Sequence, residues 1–341
     1  MGIVVTNSID DKGKAIEPIV EEIMFQNNTL NKGLVNFIDD IKANAYITEA
    51  SASAQLQAYT SGVPTDLGAL NSWDAEIRPD KMLTYQKFDP EKLRFTRYKN
   101  SMSPGAWNNF STEFERVVIG GIYAKQISLR LEKEFWLGAK TATLATIAGL
   151  PPGVAQTSIG AEEQAMAAAS LGGDGTTDGL LAKILYNDSN LAGTPAVGGR
   201  VKVVGTAITA SNIKAEYDKI YDAIPSEVLE NGEMPIIYAP YKHRQYITTF
   251  NNNVSNYKDA FGISGEDFSF NGIKIEFVPT PADVVLVGDK MNFHWCTDLV
   301  DDVNTLNMDK VEASSDQWFV KTVMTLTAHV SNQAFNVLYV G

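Results

Sequence analysis

The stretch Asp283-Val-Val-Leu-Val-Gly-Asp-Lys-Met-Asn-Phe-His-Trp-Cys-Thr-Asp298 joins a short aliphatic run to an aromatic segment that contains a histidine and a cysteine. The aliphatic run predicts a strand over residues 284–287. His294 stands between two aromatic residues, where a buried and hydrogen-bonded histidine is more common than a catalytic base. Cys296 is the only cysteine, which excludes an intrachain disulfide and any multi-cysteine metal site. The stretch therefore indicates structure and not chemistry.

Helix and strand patterns alternate on both sides of this stretch. The elements predicted before it are, in order, a strand over residues 201–204, a helix over 212–224, a strand over 234–238, a helix over 241–250 and a strand over 273–278. After it, residues 318–330 alternate as a long strand, and residues 335–340 return across a turn as the second strand of an antiparallel hairpin. Mixed helices and strands of this kind predict an α+β fold.

The remaining segments give weaker patterns. Helical spacing over residues 15–28 and 34–43 predicts two short helices in an N-terminal arm, and glycine and proline predict a loop over residues 60–73. Residues 139–199 are rich in alanine and glycine. We interpret them as loops around two short helices, over residues 161–171 and 180–186.

A long basic hairpin is predicted over residues 81–99. Two strand-like arms, residues 83–88 and 93–98, flank the turn Asp89-Pro90-Glu91-Lys92. The window 81–99 holds six basic and two acidic residues, a local charge of +4 in a chain of formal charge −13. Because an isolated ribbon is marginal in water, it has to lie on its own domain or on a neighbour. A second copy of this acidic chain is the nearest suitable partner. A solvated surface hairpin is the equally weighted alternative, and the candidate contact residues are Lys87, Lys92, Arg94, Arg97 and Tyr98.

A long helix is predicted directly after the hairpin, over residues 112–137. Thr112 and Glu115 have the spacing of a capping box, and apolar residues then recur every four positions. Such a helix would be roughly 39 Å long at ~1.5 Å per residue. Gly120 and Gly121 would each cost about 1 kcal/mol there relative to alanine, so tertiary packing has to hold this helix together.

Catalytic and ligand-binding patterns are missing. The three histidines lack metal-ligand spacing, and no phosphate-binding glycine motif occurs. Gly262-Ile-Ser-Gly265 matches only half of a nucleophile elbow. The acidic groups around Asp174 and Asp298 are better explained as solvated loops than as cation sites. We therefore expect no enzyme activity, no cofactor and no metal.

Charge and hydropathy limit the partners. A formal charge of −13 argues against tight wrapping of nucleic acid, because phosphate contacts require clustered basic residues. We find no stretch that predicts a membrane span and no basic-then-apolar start typical of a secretory signal, and we expect the chain to stay in the cytoplasm.

Residues 283–298, followed by Asp302 and the long strand from Trp318, resemble the major capsid proteins of tailed bacteriophages. The order of the elements carries the resemblance more than any single motif. It covers residues 73–341 and implies a fold with an N-terminal arm, an extended β-hairpin loop, a long spine helix, a mixed α/β axial domain and C-terminal strands that return to a peripheral domain.

The resemblance implies a division of the chain and a set of partners. The arm would span residues 1–46. The peripheral domain would span 47–150, including the hairpin loop 74–108 and the spine helix 111–138. The axial domain would span 151–299, and residues 300–341 would return to the peripheral domain. The chain would form hexamers and pentamers of an icosahedral shell around double-stranded DNA, with scaffolding and portal proteins as partners. It would be assembled in the host cytoplasm and located in the virion.

Two alternatives stay open from the sequence. An encapsulin-type bacterial compartment shell has the same fold, and only its cargo and neighbouring genes would distinguish it. A serine hydrolase that uses Ser264 with a distant histidine is the hypothesis from another class.

Overall fold

The structure is a computed structural model, and it describes residues 27–41, 45–53, 57, 69–89, 123, 125–149, 159–185, 200–230, 234–253, 261–298, 306–312 and 317–341. Its helices and strands follow in the order α1 Asn28–Asn31, β1 Asn36–Ile38, β2 Ala45–Ser53, β3 Ala69–Ile77, β4 Asp80–Phe88, α2 Lys125–Leu137, α3 Thr141–Gly149, α4 Ala161–Ser170, α5 Leu180–Leu185, β5 Val201–Val204, α6 Ile213–Asp222, α7 Ser226–Glu230, β6 Ile236–Pro240, α8 Tyr241–Asn253, β7 Phe261–Ser264, β8 Asp267–Phe270, β9 Ile273–Val278, β10 Val284–Gly288, β11 Phe293–Cys296, β12 Leu306–Lys310, β13 Trp318–Val330 and β14 Val337–Val340.

A mixed sheet of seven strands forms the centre of the protein, in the order β5-β14-β10-β6-β9-β8-β7. The pairs β5–β14 and β6–β9 are parallel and the other neighbours are antiparallel. All five residues of β10 are buried. Because side chains alternate along a strand, a strand that is buried throughout has both faces covered. The uninterrupted aliphatic run of β10 is thus explained by its position inside the sheet.

One face of this sheet packs on the first hydrophobic core. Val284 and Leu286 of β10 belong to this core, together with Phe135 and Trp136 of α2. The Phe135 ring stacks on Trp295 of β11 with centroids 4.5 Å apart. The core also takes in α5 and the inward side chains of β13. The C-terminal half of the predicted long helix is therefore an interior element.

The other face packs on a second hydrophobic core. Val285 and Val287 belong to this core, together with Tyr217 of α6 and Ile247 of α8. The Tyr217 ring meets Phe261 of β7 edge-on at a centroid distance of 5.4 Å. Alternate side chains of a single strand thus enter two different cores, and the central sheet joins them.

A second sheet has the order β1-β11-β13-β12, with β4 also paired to β13. The β4–β13 register is antiparallel and runs from Phe88 opposite Trp318 to Asp80 opposite Leu326. Strands β2 and β3 form a separate antiparallel ribbon of nine pairs, from Ala45–Ile77 to Ser53–Ala69. None of the described helices is long and apolar enough to cross a membrane.

Most predicted elements of the C-terminal half are confirmed. The structure has the predicted strands as β5, β6, β9, β10 and β13, and the predicted helices as α4, α5, α6 and α8. The predicted α+β class follows from these elements. The predicted helix 112–137 is confirmed over Lys125–Leu137, and its first half lies outside the described residues. The first arm of the predicted hairpin is β4, and its second arm, residues 93–98, also lies outside them.

Four predictions are wrong. Residues 36–38 form a strand and not a helix, because they pair in parallel with β11. Residues 69–73 belong to β3 and not to a loop. Residues 141–149 form helix α3 within a segment interpreted as a loop. The C-terminal hairpin does not form, because β14 pairs with β10 and β5 instead of β13.

An asparagine cluster explains how the chain leaves β13 for the other sheet. Asn292 donates to Asn336 Oδ1 at 2.9 Å and also to the carbonyl of Asn332. A 3₁₀ turn over Gln333–Phe335 follows, and Asn332 caps it by accepting from the backbone of Ala334. These contacts turn the chain away from β13 and direct it into the seven-stranded sheet.

A glycine turn packs against the end of α2. Gly173 and Gly175 both have positive φ angles, +45° and +68°. The carboxylate of Glu134 lies against Gly173 and accepts the backbone N–H of Asp174 at 2.5 Å. A side chain on Gly173 would collide with that carboxylate, whereas the nearest atom to a Cβ on Gly175 is 3.9 Å away.

We predict that Gly173→Ala destabilises the protein more than Gly175→Ala. Both substitutions place alanine in the left-handed region at a cost of about 1 kcal/mol. Only Gly173→Ala also displaces the Glu134 carboxylate, which we expect to add about 2 kcal/mol. Urea unfolding of the two variants measures the difference, and equal losses of stability would contradict the packing described for Gly173.

Candidate assembly surface

The outer face of β4 and β13 exposes three large hydrophobic side chains. Leu83 is 58 % exposed, Tyr85 46 % and Val323 41 %. Leu83 lies directly opposite Val323 in the register. The alternate residues of the same strands, such as Met82 and Met324, are buried in the first core. Strand alternation thus leaves one face of this two-stranded segment without an intramolecular covering among the described residues.

Lysines flank these apolar side chains on the same face. Along this face of β4, Lys81 and Lys87 stand on either side of Leu83 and Tyr85, and Lys321 of β13 lies opposite Tyr85. The outer face therefore combines apolar area with an excess of positive charge, in a chain of formal charge −13.

Lys87 is the one candidate contact residue that lies within the described part of the chain. Its Nζ is 5.8 Å from the centroid of the Tyr85 ring, within the range of a cation–π contact. The Tyr85 ring packs 5.4 Å from the Phe319 ring. Lys87 is therefore held on the exposed face of β4. The other candidates, Lys92, Arg94, Arg97 and Tyr98, lie outside the described residues.

The N-terminal part of the described chain is tied to the body by buried hydrogen bonds. Glu132 Oε1 of α2 accepts from the backbone N–H of Thr29 at 3.0 Å and from its hydroxyl at 2.7 Å. The indole of Trp136 donates to the same hydroxyl at 3.0 Å. The Tyr238 hydroxyl of the central sheet donates to the Leu34 carbonyl at 2.7 Å. Both α2 and the central sheet therefore hold residues 29–34.

Two charged contacts extend this attachment to the mixed sheet. Lys32 pairs with Glu276 of β9 at 2.8 Å, and Lys274 pairs with the other oxygen of Glu276 at 2.7 Å. Burial disfavours the charge of Glu276, but the hydrogen bonds from Lys274 and Lys32 outweigh burial and lower its pKa. The carboxylate therefore stays ionised and holds the N-terminal segment on the sheet at neutral pH.

His294 links the N-terminal segment to β13. Its Nδ1 lies 3.0 Å from the Asn36 amide nitrogen, its Nε2 lies 2.6 Å from the Ser331 hydroxyl, and its ring stacks on His329. Burial, assisted by the charge of His329, lowers the pKa of His294 to about 4. A neutral ring can accept from Asn36 and donate to Ser331, so the low pKa preserves both contacts.

The other residues that could have served in catalysis or metal binding make structural contacts instead. Ser264 ends β7 and is followed by a β-turn into β8, and not by the helix that a nucleophile elbow requires. His243 contacts the Tyr217 hydroxyl and the Ala282 carbonyl, and Cys296 is buried in β11. Across the described segments, no group of three His, Cys, Asp or Glu side chains is arranged to hold a metal ion. Asp174 pairs with Arg130.

No protein-family model and no curated protein matches the chain. Among solved structures it is similar to the satellite phage P4 procapsid including size determination protein, with 13% identity and a TM-score of 0.48 over 93% of this chain and 96% of that chain. It is similar to the capsid of native GTA particle at 11% identity and a TM-score of 0.49, over 97% of this chain and 92% of that chain. It is similar to the bacteriophage PhiM1 mature capsid at 12% identity and a TM-score of 0.47, over 100% of this chain and 92% of that chain.

The sequence did not indicate that residues 29–36 are hydrogen-bonded to α2, to the central sheet and to His294. Thr29 and Glu132 are separated by 103 positions, and no local pattern pairs them. The one available signal was the unusual number of asparagines around residue 28, which are common in caps and turns.

We predict that the free energy of unfolding falls as the pH is lowered from about 6.5 to about 4. The unfolded chain binds protons on His294 and His243 in this range, while the folded chain, with both pKa values lowered to about 4, does not. The contribution of the two histidines to the free energy of unfolding is therefore fully present above pH 6.5. It is lost on acidification, by about 3 kcal/mol for each histidine.

Denaturant unfolding at several pH values tests this dependence. In His294→Gln the slope between pH 6.5 and 4 should become shallower by about half, because His243 retains its own contribution. An unchanged slope in the variant would contradict the buried, neutral state of His294.

Proposed function

We propose that the chain is the major capsid subunit of a tailed bacteriophage, with a structural and not an enzymatic role. It assembles with copies of itself into an icosahedral shell around double-stranded DNA. The observation that carries the proposal is the order of the described elements. An N-terminal segment attached to the body, long paired strands, helix α2 and a mixed sheet with helices follow one another as the family resemblance implies. The similar solved structures named above are capsids, and the proposal extends that assembly to this chain.

The outer face of β4 and β13 supports self-assembly. Its apolar side chains expose area that a partner can bury, and its lysines favour a partner of negative charge. A second copy has that charge, since the chain carries 41 acidic and 28 basic residues. DNA enclosed by an acidic shell would be contained and not gripped.

The proposal also assigns the domains of the chain, the residues that contact a neighbouring subunit and the other proteins that take part in assembly. We assign the arm to residues 1–46, the peripheral domain to 47–150 and 300–341, and the axial domain to 151–299. Lys87, Lys92, Arg94, Arg97 and Tyr98 contact the neighbouring subunit. Hexamers and pentamers form in the host cytoplasm with scaffolding and portal proteins, and the product is located in the virion.

We predict that the purified chain, alone or with a scaffolding protein, forms hexamers, pentamers or closed shells. Negative-stain electron microscopy and sedimentation velocity at several protein and salt concentrations detect these species. A monodisperse monomer under all conditions, with or without a scaffold, would overturn the proposed function.

We predict further that the triple variant Lys87→Glu, Arg94→Glu and Arg97→Glu impairs assembly. Reversal of three charges turns attraction toward an acidic neighbour into repulsion, so shell yield should fall at least about tenfold while circular dichroism stays unchanged. A matched control reverses three other exposed lysines, Lys125, Lys242 and Lys290, and should assemble as the unaltered chain does. Normal shells from the first variant, or equal loss in both, would refute electrostatic docking through this segment.

A further inference from the structure

An acidic surface with exposed apolar side chains lies on α7 and just before β6. Leu229 of α7 is 38 % exposed, and Met234, two positions before β6, is 65 % exposed. Glu227 and Glu230 of α7 are also exposed. Val228 between them is buried in the second core, so α7 is anchored on one side and open to solvent on the other. These four exposed residues, two glutamates and two apolar side chains, form what we call the α7 surface.

The two glutamates of the α7 surface are not used inside the chain. Within the part of the chain that the structure describes, neither Glu227 nor Glu230 forms a salt bridge. On the preceding helix α6, by contrast, Asp218 pairs with Lys214 at 2.7 Å. Two free carboxylates beside exposed apolar area favour a partner that combines positive charge with apolar side chains.

The outer face of β4 and β13 has that composition. Leu83, Tyr85 and Val323 form its exposed apolar centre. Lys81 and Lys87 stand at the two ends of the same face of β4, roughly 20 Å apart at ~3.3 Å per residue. The α7 surface has a similar extent, at most about 20 Å from its first glutamate to its methionine. The two surfaces therefore match in size and in apolar content and are opposite in charge.

The two surfaces are held by different parts of the molecule. Met82 and Met324 anchor β4 and β13 in the first core, whereas Val228 anchors α7 in the second. Both surfaces are exposed in the same chain, so neither covers the other. A second copy of the chain is therefore the partner that can bring them together.

We propose that the α7 surface of one subunit docks on the outer face of β4 and β13 of a neighbouring subunit. Its two glutamates lie opposite Lys81 and Lys87, and its two apolar side chains pack against Leu83 and Tyr85. The docking rests on the proposed self-assembly and gives the basic face its acidic partner. A contact between two unlike surfaces is heterologous, and its repetition closes into a ring when the rotation between neighbours permits.

Charge selects this pairing more than it strengthens it. Each exposed ion pair contributes less than about fivefold to the affinity, because both charges stay hydrated in the free subunits. A single contact is therefore weak, and a closed ring, in which every subunit makes two contacts, is favoured over an open pair. Like charges placed opposite each other convert the attraction into repulsion, so charge reversal is the sharpest probe of the pairing.

A second exposed acidic pair lies on the β2–β3 ribbon. Its Asp74 accepts a hydrogen bond from Thr48 at 2.8 Å, and its Glu76 pairs with Arg78 at 2.7 Å. Because both carboxylates already have partners within or beside the ribbon, the observations favour the α7 surface as the partner of the lysines.

A charge swap in the full-length chain tests the pairing, with shell yield measured by sedimentation velocity and electron microscopy. Glu227→Lys with Glu230→Lys should lower the yield about tenfold, and Lys81→Glu with Lys87→Glu should do the same. The chain that carries all four substitutions restores opposite charges across the contact. It should assemble to within about threefold of the unaltered chain.

A matched control changes another exposed acidic pair. Glu266→Lys with Asp267→Lys, at the turn between β7 and β8, makes the same change of net charge as the α7 variant. It should leave shell yield unchanged, and it should not restore assembly to the chain with Lys81→Glu and Lys87→Glu. Equal loss of assembly in the control and in the α7 variant would overturn the docking.

The docking would also be overturned if the chain with all four substitutions keeps its circular dichroism and does not assemble, or if Glu227→Lys with Glu230→Lys assembles normally. Restoration by Asp74→Lys with Glu76→Lys instead would overturn it and assign the contact to the ribbon. These results leave the proposed function intact, because the unaltered chain still forms shells. An unaltered chain that never assembles would contradict both.

A milder variant decides if the α7 charge reversal fails to fold. Glu227→Gln with Glu230→Gln removes both charges at nearly constant size and should lower shell yield about threefold. An unchanged yield from this variant would overturn the docking.

Discussion

The burial of β10 on both faces is the constraint on which the rest of the structure depends. Val284 and Leu286 enter one hydrophobic core, and Val285 and Val287 enter the other. Every side chain of this strand is removed from water, which stabilises the fold by about 1.5–3 kcal/mol for each large aliphatic residue. Neither core can be complete without the sheet between them, so we infer that the two cores form together.

This arrangement positions the parts that are proposed to act in assembly. The inward side chains of β13 pack in the first core, and the same strand holds β4 in a register of nine pairs. A strand that is anchored on one face can expose apolar area on the other without unfolding. The N-terminal segment is fixed by the same elements, since Glu132 of α2 accepts a hydrogen bond from Thr29 and Tyr238 of β6 donates one to the Leu34 carbonyl.

Elements with their own periodicity could be predicted from the sequence, and elements that depend on distant partners could not. The alternation over residues 318–330 was sufficient to predict β13, and the aliphatic run was sufficient for β10. Strand β1 has only three residues and exists because it pairs with β11, so tertiary pairing overrode a helical spacing. Helix α3 was missed because its alanines, threonines and glycine suggest a loop, although Ile147 is buried in the first core.

The candidate assembly surface on β4 and β13 could be predicted from the sequence only in part. The excess of lysine and arginine over residues 81–99 predicts a contact surface, which stays a prediction, and Lys87 is exposed on β4. Its apolar companions Phe319 and Val323 come from a strand more than two hundred residues later, which only the β4–β13 register brings together.

Native-state hydrogen exchange tests the central role of β10 most directly. Buried amides of α2 and α6 pack on opposite faces of the central sheet, and both should exchange only through the global opening that exposes β10. Their opening free energies should therefore agree within about 1 kcal/mol and shift together with denaturant. Exchange of α6 at a markedly lower free energy, with α2 and β10 still protected, would contradict a single unit joined by this strand.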